Sequence, residues 1–177
     1  WRDPDFPMLE RAAIHSIRRN RSGDICVCSA RGFFRLQPGG GVRDRYWSRG
    51  DSPYYLPYDN ILSFYEDTEG VYWLGTGGGG LIRWVPPFSL RAQSGREKPN
   101  TRSFSREHGL LNGVVYAVYE DEQAHLWLPT DYGIAQFDKY NHLVRRTWLR
   151  SSGLTHNEFN RTSHCQGGDG ALYFGGL

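Results

Sequence analysis

The chain has 177 residues, of which 38% are hydrophobic and 15% aromatic, with 22 glycines and a formal net charge of +2. This length supports one domain with a sizeable core, and the small net charge gives no reason to expect a nucleic-acid-binding protein. No stretch reaches the ~18 apolar residues that a membrane-spanning helix needs. Many glycines together with many aromatic residues favour an all-β fold with tight turns.

The upstream part of the chain is predicted to contain two or three short strands. Residues 8–17 fit either a short helix or a strand, and further strands are expected at residues 25–29 and 32–36. Cys26 and Cys28 alternate on one of these strands and therefore share a face. Their spacing is not that of a zinc-binding pair and no second pair follows, so we interpret them as small buried hydrophobic side chains.

The centre of the chain contains two copies of one pattern, at residues 61–84 and 115–137. In each copy a Glu-Asp pair precedes a tryptophan, which is followed by a threonine and then by a glycine that opens the next strand. The matching aspartates, Asp67 and Asp121, are 121 − 67 = 54 residues apart. Residues 61–66 and 115–119 alternate in a way that predicts strands.

Weaker copies of the pattern flank these two. Gly23 precedes Gly70 by 47 residues, and Asp169, which stands next to Gly170, follows Asp121 by 48 residues. Periods of about 40–50 residues are typical of β-propeller blades. The sequence therefore predicts one blade for each copy.

Each part of the pattern has a physical reason. Asp-x-x-Gly predicts a hairpin turn, because aspartate accepts hydrogen bonds from nearby backbone amides and glycine adopts a positive φ. The tryptophan then falls on the second strand, where it would fill the wedge between neighbouring blades. Fourth strands are expected in residues 101–104 and 144–148. The predicted structural repeat positions are Asp67, Gly70, Trp73, Gly75, Thr76, Gly80, Asp121, Trp127, Thr130, Gly133, Asp169 and Gly170.

The predicted fold is a partial β-propeller, all-β, with about three to four blades of four antiparallel strands each. Residues 1–177 form a single incomplete propeller region. Its blades are expected at about residues 13–57, 58–111, 112–153 and, truncated, 154–177. Closed propellers need at least about four blades and usually more, and the chain begins at Trp1 rather than Met. We therefore expect a fragment of a larger propeller.

The recurring residues Glu-Asp-x-x-Gly-x-x-Trp-Leu-Gly-Thr, followed by Gly-Leu or Gly-Ile, resemble the two-component regulator propeller repeat. The resemblance covers roughly residues 14–177. In that family such repeats form periplasmic sensor regions, ahead of a β-sandwich linker, a membrane helix and an output domain that is often a histidine kinase. The sequence departs from the pattern at Pro129, which replaces a glycine, and at Ala124, which replaces the turn glycine.

The resemblance implies a non-catalytic, ligand-sensing segment of a bacterial signal-transduction regulator that works by phosphorelay. It implies a periplasmic location, a parent in the inner membrane that is a membrane-bound homodimer, and an oligosaccharide or protein ligand. The remaining propeller blades of the parent would be further partners. We expect no catalytic residue, no cofactor, no metal site, no nucleic acid and no membrane span in this segment, and the ligand-binding residues stay open.

Several motifs that suggest a functional site have a simpler structural interpretation. Residues 75–80 match Gly-x-Gly-x-x-Gly but precede a strand, which favours a turn over a nucleotide site. The pairs Glu66-Asp67 and Glu120-Asp121 could serve glycoside hydrolysis, but they recur at the same turn, which favours a structural role. The six histidines lack metal-binding spacing. Clustered arginines are interpreted as solvated sheet edges.

Two alternatives from other classes stay open. A propeller-fold enzyme, such as a lyase or a glycosidase-like protein, would share the same repeat residues, because a fold does not determine a function. An extracellular carbohydrate-binding module would share them too. Tyr54, Tyr55 and Tyr58 lie in a proline-bounded loop and are candidates for stacking on a sugar, although a loop that packs its own aromatic side chains is the simpler interpretation.

Overall fold

The computed structural model describes residues 11–39 and 41–176. Within these ranges the chain forms fourteen strands in four antiparallel sheets. Three sheets have four strands each and the fourth has two. The all-β fold predicted from the sequence is confirmed.

The first sheet is a meander in which each strand pairs with the next along the chain. Its strands are β1 (Ile14–Arg19), β2 (Ile25–Ser29), β3 (Gly32–Leu36) and β4 (Val42–Tyr46). Of the segment 8–17, which the sequence left open between helix and strand, the described part from Ile14 onward is strand, and residues 8–10 lie outside the described residues. Cys26 and Cys28 on β2 are free and buried, as expected.

The second and third sheets repeat this meander. The second consists of β5 (Ile61–Glu66), β6 (Tyr72–Thr76), β7 (Leu81–Val85) and β8 (Asn100–Phe104). A four-residue helix, α1 (Leu90–Gln93), lies in the connection between β7 and β8. The third consists of β9 (Tyr119–Glu120), β10 (His125–Pro129), β11 (Ile134–Asp138) and β12 (Leu143–Trp148). Short 3-10 helices at Arg106–His108 and Arg150–Ser152 follow β8 and β12. The fourth sheet pairs β13 (Phe159–Gln166) with β14 (Leu172–Gly176).

Strand β9 is shorter than the predicted strand at residues 115–119. Upstream of Tyr119 the chain pairs with the end of β10 through an isolated bridge between Val115 and Thr130 and a hydrogen bond from the Tyr116 N–H to the Pro129 carbonyl, 2.9 Å. The N–H of Val115 donates instead to the Thr76 carbonyl of the second sheet, also at 2.9 Å. The second sheet has Gly75 where the third has Pro129, and there the ladder with β5 continues. Proline has no N–H to donate, so the ladder loses a bond at this point.

The core lies between the sheets, in two layers of buried side chains. The first layer joins the first and second sheets and is rich in aromatic rings, such as Phe33 and Trp84 with centroids 5.3 Å apart. The second joins the second and third sheets around Trp73, whose ring lies 6.0 Å from that of Phe137. The first three sheets thus pack face to face in chain order, which is the arrangement of propeller blades.

The first strand of each sheet lies at the inner side of this stack. β1 contacts β5, and residues from β1, β5, the segment around β9, and β13 line one common cavity. This arrangement places the first strands along a central channel, as in a propeller. No helix in the described parts of the chain is long and apolar enough to cross a membrane.

Candidate functional site

The turn between β5 and β6 is capped by Asp67. Its Oδ1 accepts the backbone N–H groups of Glu69 and Val71, both at 2.9 Å, and its Oδ2 accepts the indole N–H of Trp73 at 3.0 Å. The side chain is almost fully buried. One carboxylate therefore closes the turn and fixes the rotamer of the tryptophan that fills the space between two sheets.

The turn between β9 and β10 repeats this geometry around Asp121. Its Oδ1 accepts the N–H groups of Gln123 and His125, and its Oδ2 accepts the indole N–H of Trp127 at 2.8 Å. Burial disfavours the charged form of Asp121, but the hydrogen bonds outweigh it and lower the pKa. Ala124 occupies the position of the turn glycine with φ 62, a conformation that strains a residue with a Cβ.

Lys139 links the second and third sheets. Its ammonium lies 3.4 Å from Asp67 Oδ2 and 2.5 Å from Glu120 Oε1, and all three side chains are buried. Burial works against the charge of Lys139, but the hydrogen bond to Glu120 and the charge of Asp67 outweigh it, so the pKa is raised. Glu120 also accepts the hydroxyl of Tyr65 at 2.8 Å. Nothing in the repeat marks Lys139, so this ion pair could not be predicted from the sequence.

The first sheet builds the same turn from different residues. Asn20 takes the place of the aspartate, because its Oδ1 accepts the N–H of Asp24 at 2.8 Å and its backbone N–H donates to the Asp24 carbonyl. Its amide donates to the hydroxyl of Tyr72 on the second sheet at 3.0 Å. Cys26 stands where the later copies have tryptophan. Asn20 therefore contacts the second sheet through a neutral hydrogen bond, whereas Asp67 contacts the third through an ion pair.

The predicted match between Asp121 and Asp169 is wrong by two residues. In the fourth sheet the backbone pattern that defines the turn is made by Gly167, whose N–H donates to Ala171 and whose carbonyl accepts from Gly170. Gly167 has no side chain to cap the turn. Asp169 lies one residue before Gly170 and accepts only the N–H of Ala171, at 3.1 Å.

The threonine and glycine positions close the next turn. The hydroxyl of Thr76 donates to the carbonyl of Gly80 at 2.7 Å, and that of Thr130 donates to Gly133 at 2.8 Å. Gly80 needs to be glycine, since its φ is +79° and a Cβ would lie 2.0 Å from the carbonyl oxygen of Phe104. The run 75–80 is thus a turn between two strands with no helix after it, as the sequence indicated.

The central cavity has a volume of about 180 Å³ and is lined by all four sheets. β1 contributes His15 and Arg18, and β13 contributes Arg161 and His164. His164 Nδ1 shares a hydrogen bond of 2.7 Å with the hydroxyl of Tyr119, and His15 Nε2 shares one of 2.9 Å with Asn60. These are the polar side chains that the fold brings together at the channel.

The imidazoles of this cavity lie in a positive environment. Burial is the main cause that lowers the pKa of His164, and the charge of Arg18 lowers it further. Burial likewise lowers the pKa of His15, the Asn60 hydrogen bond opposes this, and the charge of Arg161 adds to the lowering. Both imidazoles are therefore held towards the neutral form, in which they accept or donate hydrogen bonds.

The acidic pairs show no arrangement for catalysis. Asp67 and Asp121 are taken up by their turns, Glu120 by Tyr65 and Lys139, and Glu66 accepts the backbone N–H of Arg21 at 2.8 Å. Burial raises the pKa of Glu66. In residues 11–39 and 41–176 no group of three or more His, Cys, Asp or Glu side chains is placed to hold a metal ion.

The aromatic loop packs partly on the neighbouring sheets. Tyr58 lies over the glycine turn, where a Cβ on Gly79 would come within 2.7 Å of its ring, and its hydroxyl donates to the Gly77 carbonyl at 3.3 Å. Tyr54 and Tyr55 remain 43% and 46% exposed. Tyr54 contacts the ring of Tyr46, with centroids 5.7 Å apart, so the two exposed tyrosines are only partly accessible, while Tyr58 is used by the fold.

The comparisons with known proteins agree with this geometry. The family model described as "Two component regulator propeller" matches residues 55–78, which include β5, the Asp67 turn and β6. These residues match a two component regulator propeller repeat. No curated protein matches the chain.

Solved structures share the fold of this repeat region. The extracellular domain of a putative hybrid two component system from B. thetaiotaomicron matches 92% of this chain with 22% identity and a TM-score of 0.69, and a second such domain from that organism matches 93% with 19% identity and a TM-score of 0.54. This chain spans only 22% and 27% of their lengths. A catalytically inactive virginiamycin B lyase from Staphylococcus aureus matches 92% of this chain and 48% of its own, with 14% identity and a TM-score of 0.59.

The propeller repeat also explains an open groove between the third and fourth sheets. There Trp127 and Trp148 stack with centroids 4.7 Å apart but stay half-buried, in a groove of about 560 Å³ that also includes Leu172 and Phe174. At the previous interface Trp73 is covered by Ala135 and Phe137, which come from the third strand of the next sheet. The two described strands of the fourth sheet contribute Leu172 and Phe174 to this groove and leave Trp127 less covered than Trp73.

Proposed function

We propose that this chain is a sensory, non-catalytic propeller segment of a two-component regulator whose parent is a histidine kinase. The observation that carries the proposal is the match of residues 55–78 to the two component regulator propeller family. The likeness of the fold to extracellular domains of putative hybrid two component systems supports it. In this proposal the repeat positions are structural, and the chemistry of the parent lies outside the chain.

The proposal extends to location, ligand and assembly. The segment lies in the periplasm, its parent is a homodimer in the inner membrane, and an oligosaccharide or a protein is the ligand. The four sheets are blades at about residues 13–57, 58–111, 112–153 and 154–177, and further blades of the parent complete the ring. Ligand binding would signal by favouring one arrangement of the assembly over another, which requires a difference in affinity between the two.

The complete reading frame around this segment tests the proposal. We expect further propeller repeats, then a membrane helix and a histidine kinase core. A frame that stops soon after a complete ring of blades, without any output module, would overturn the sensory role. In the first outcome, membranes that contain the whole protein should incorporate phosphate from ATP into a histidine.

A propeller enzyme is the second candidate. The observation that favours it is the shared fold with virginiamycin B lyase, together with two imidazoles, His15 and His164, at one cavity. A reading frame without an output module would make this candidate the first one. The paired carboxylates already accept hydrogen bonds or ion pairs from the protein, as Glu120 does from Tyr65 and Lys139, which argues against a glycosidase in particular.

A further inference from the structure

The central cavity carries an excess of positive charge. Of the residues that line it, Arg18 and Arg161 are charged at neutral pH, and none is aspartate or glutamate. The two arginines come from opposite ends of the chain, on β1 and β13, and both act on cavity histidines. Two positive charges that face one cavity lower the energy of an anion there.

Neither arginine is neutralised by an ion pair within residues 11–39 and 41–176. Arg18 interacts with Tyr119, a neutral partner. By contrast, Arg35, Arg83 and Arg91 elsewhere in the chain each pair with a carboxylate. The arginines of the channel therefore keep donors for another group.

Acidic side chains near the channel accept hydrogen bonds from other residues or do not line the cavity. Glu66 lines the adjacent cavity and accepts the N–H of Arg21. Asp131 accepts the hydroxyl of Tyr116 at 2.8 Å, and the charges of Glu158 and Arg161 both act on the same tyrosine, in opposite directions. They reduce the positive potential near Arg161 but do not enter the cavity lining.

We propose that the channel cavity binds an oxyanion group, a carboxylate, sulfate or phosphate, through Arg18 and Arg161. Guanidinium groups bind such oxyanions with charge-assisted hydrogen bonds, often two at a time. The cavity is smaller than the ~300–1,000 Å³ of sites for drug-sized ligands. It therefore takes a free ion or the acidic group of a larger ligand that extends along the channel. This site does not depend on the output domain of the parent.

Calorimetric titration of the 177-residue chain tests the site at constant ionic strength set with sodium chloride. The probes are sulfate, glucuronate and, as the neutral match for glucuronate, glucose. We expect saturable binding of at least one of the two anions and none of glucose. Binding of sulfate indicates a free ion, and binding of glucuronate alone indicates an acidic group on a larger ligand.

Variants separate this site from general charge attraction. The double variant Arg18→Gln with Arg161→Gln should bind the anion at least about tenfold more weakly, because each charge-assisted bond is lost. Arg106→Gln removes one positive charge from an exposed 3-10 helix, as the single variant Arg161→Gln does at the cavity, and should bind within about twofold of the parent. If the double variant loses its folded tryptophan fluorescence, the single variant Arg161→Gln replaces it. Unchanged affinity in the folded variant, or no saturable binding of either anion by the parent chain, would overturn the proposal.

Discussion

Replacing Lys139 by methionine should destabilise the chain strongly, because it removes the cation between two buried carboxylates. The ammonium contacts Asp67 and Glu120, whose side chains are only 1% and 9% exposed. Methionine keeps most of the apolar stem and adds no charge. The variant therefore tests the ion pair rather than the packing around it.

The expected size follows from what each carboxylate retains. Breaking a buried pair by removing one partner typically costs about 3–5 kcal/mol. Asp67 keeps three N–H donors and Glu120 keeps the hydroxyl of Tyr65, so neither is left bare. We therefore expect the lower end, a loss of about 3 kcal/mol in the free energy of unfolding.

Urea denaturation followed by tryptophan fluorescence measures this loss, with Trp73 next to the ion pair as a reporter. The chain offers a matched control, since its only other lysine, Lys98, is exposed. Lys98→Met should change the free energy of unfolding by no more than about 0.5 kcal/mol. Adding Glu120→Gln to the Lys139 variant should recover part of the loss, because one uncompensated charge disappears. Equal effects of the two lysine variants would refute the reasoning.

The sign of the pH dependence follows from the raised pKa of Lys139. A group whose folded pKa exceeds its unfolded value contributes its full stabilisation below the unfolded pKa, about 10.4 for lysine. The contribution is lost as pH rises through the folded pKa. The difference between the parent chain and the variant should therefore be present at neutral pH and shrink only above about pH 10.

Five further substitutions have expected outcomes in the same denaturation assay. Trp73→Phe should lower the free energy of unfolding by about 2–3 kcal/mol, since it leaves a buried acceptor without its indole donor. Trp127→Phe, at a half-buried position, should lower it by only about 1 kcal/mol. Equal losses would contradict the packing described above. Ala124→Gly should stabilise by about 1 kcal/mol because it relieves a positive φ, and a loss of stability would count against strain there. Gly80→Ala should cost about 3 kcal/mol or more, because its Cβ would meet a backbone carbonyl at 2.0 Å; a neutral result would show that the turn can shift. Hydrogen bonds from arginine and asparagine donors lower the pKa of Glu97 to about 2. The free energy of unfolding should therefore fall by about 3 kcal/mol at most as pH drops from about 4.3 to 2. Glu97→Gln should remove this dependence on pH, and an unchanged dependence in the variant would show that the charge of Glu97 does not stabilise the fold.

The turns could be predicted because their determinants are local. Asp67, Trp73 and Thr76 act within one hairpin, and the same residue types recur 54 residues later, so the pattern carries its own explanation. The fourth sheet shows the limit of this reasoning. A visible aspartate at position 169 suggested a match, but the backbone bonding is made by Gly167, which has no side chain to signal it.

The long-range contacts could not be predicted in the same way. Lys139 and Asp67 are 72 residues apart, and no periodic signal joins a lysine after a third strand to the turn of the previous sheet. Part of the channel follows from the repeat. Asn20 occupies the position of Asp67 and Asp121, so Arg18, two residues earlier, falls on the first strand of its sheet, next to the channel. This correspondence is difficult to recognise in the sequence because the first sheet has no tryptophan at the matching position.

The ion pair of Lys139 also fixes which sheets can be neighbours. The turn of the second sheet presents a carboxylate to Lys139, whereas the turn of the first presents the amide of Asn20, which is suited to the hydroxyl of Tyr72. If the third sheet were placed beside the first, its buried ammonium would lose the carboxylate of Asp67. The repeats therefore share one backbone arrangement, but one sheet cannot take the place of another, because single residues at the contacts between sheets determine which sheets fit side by side.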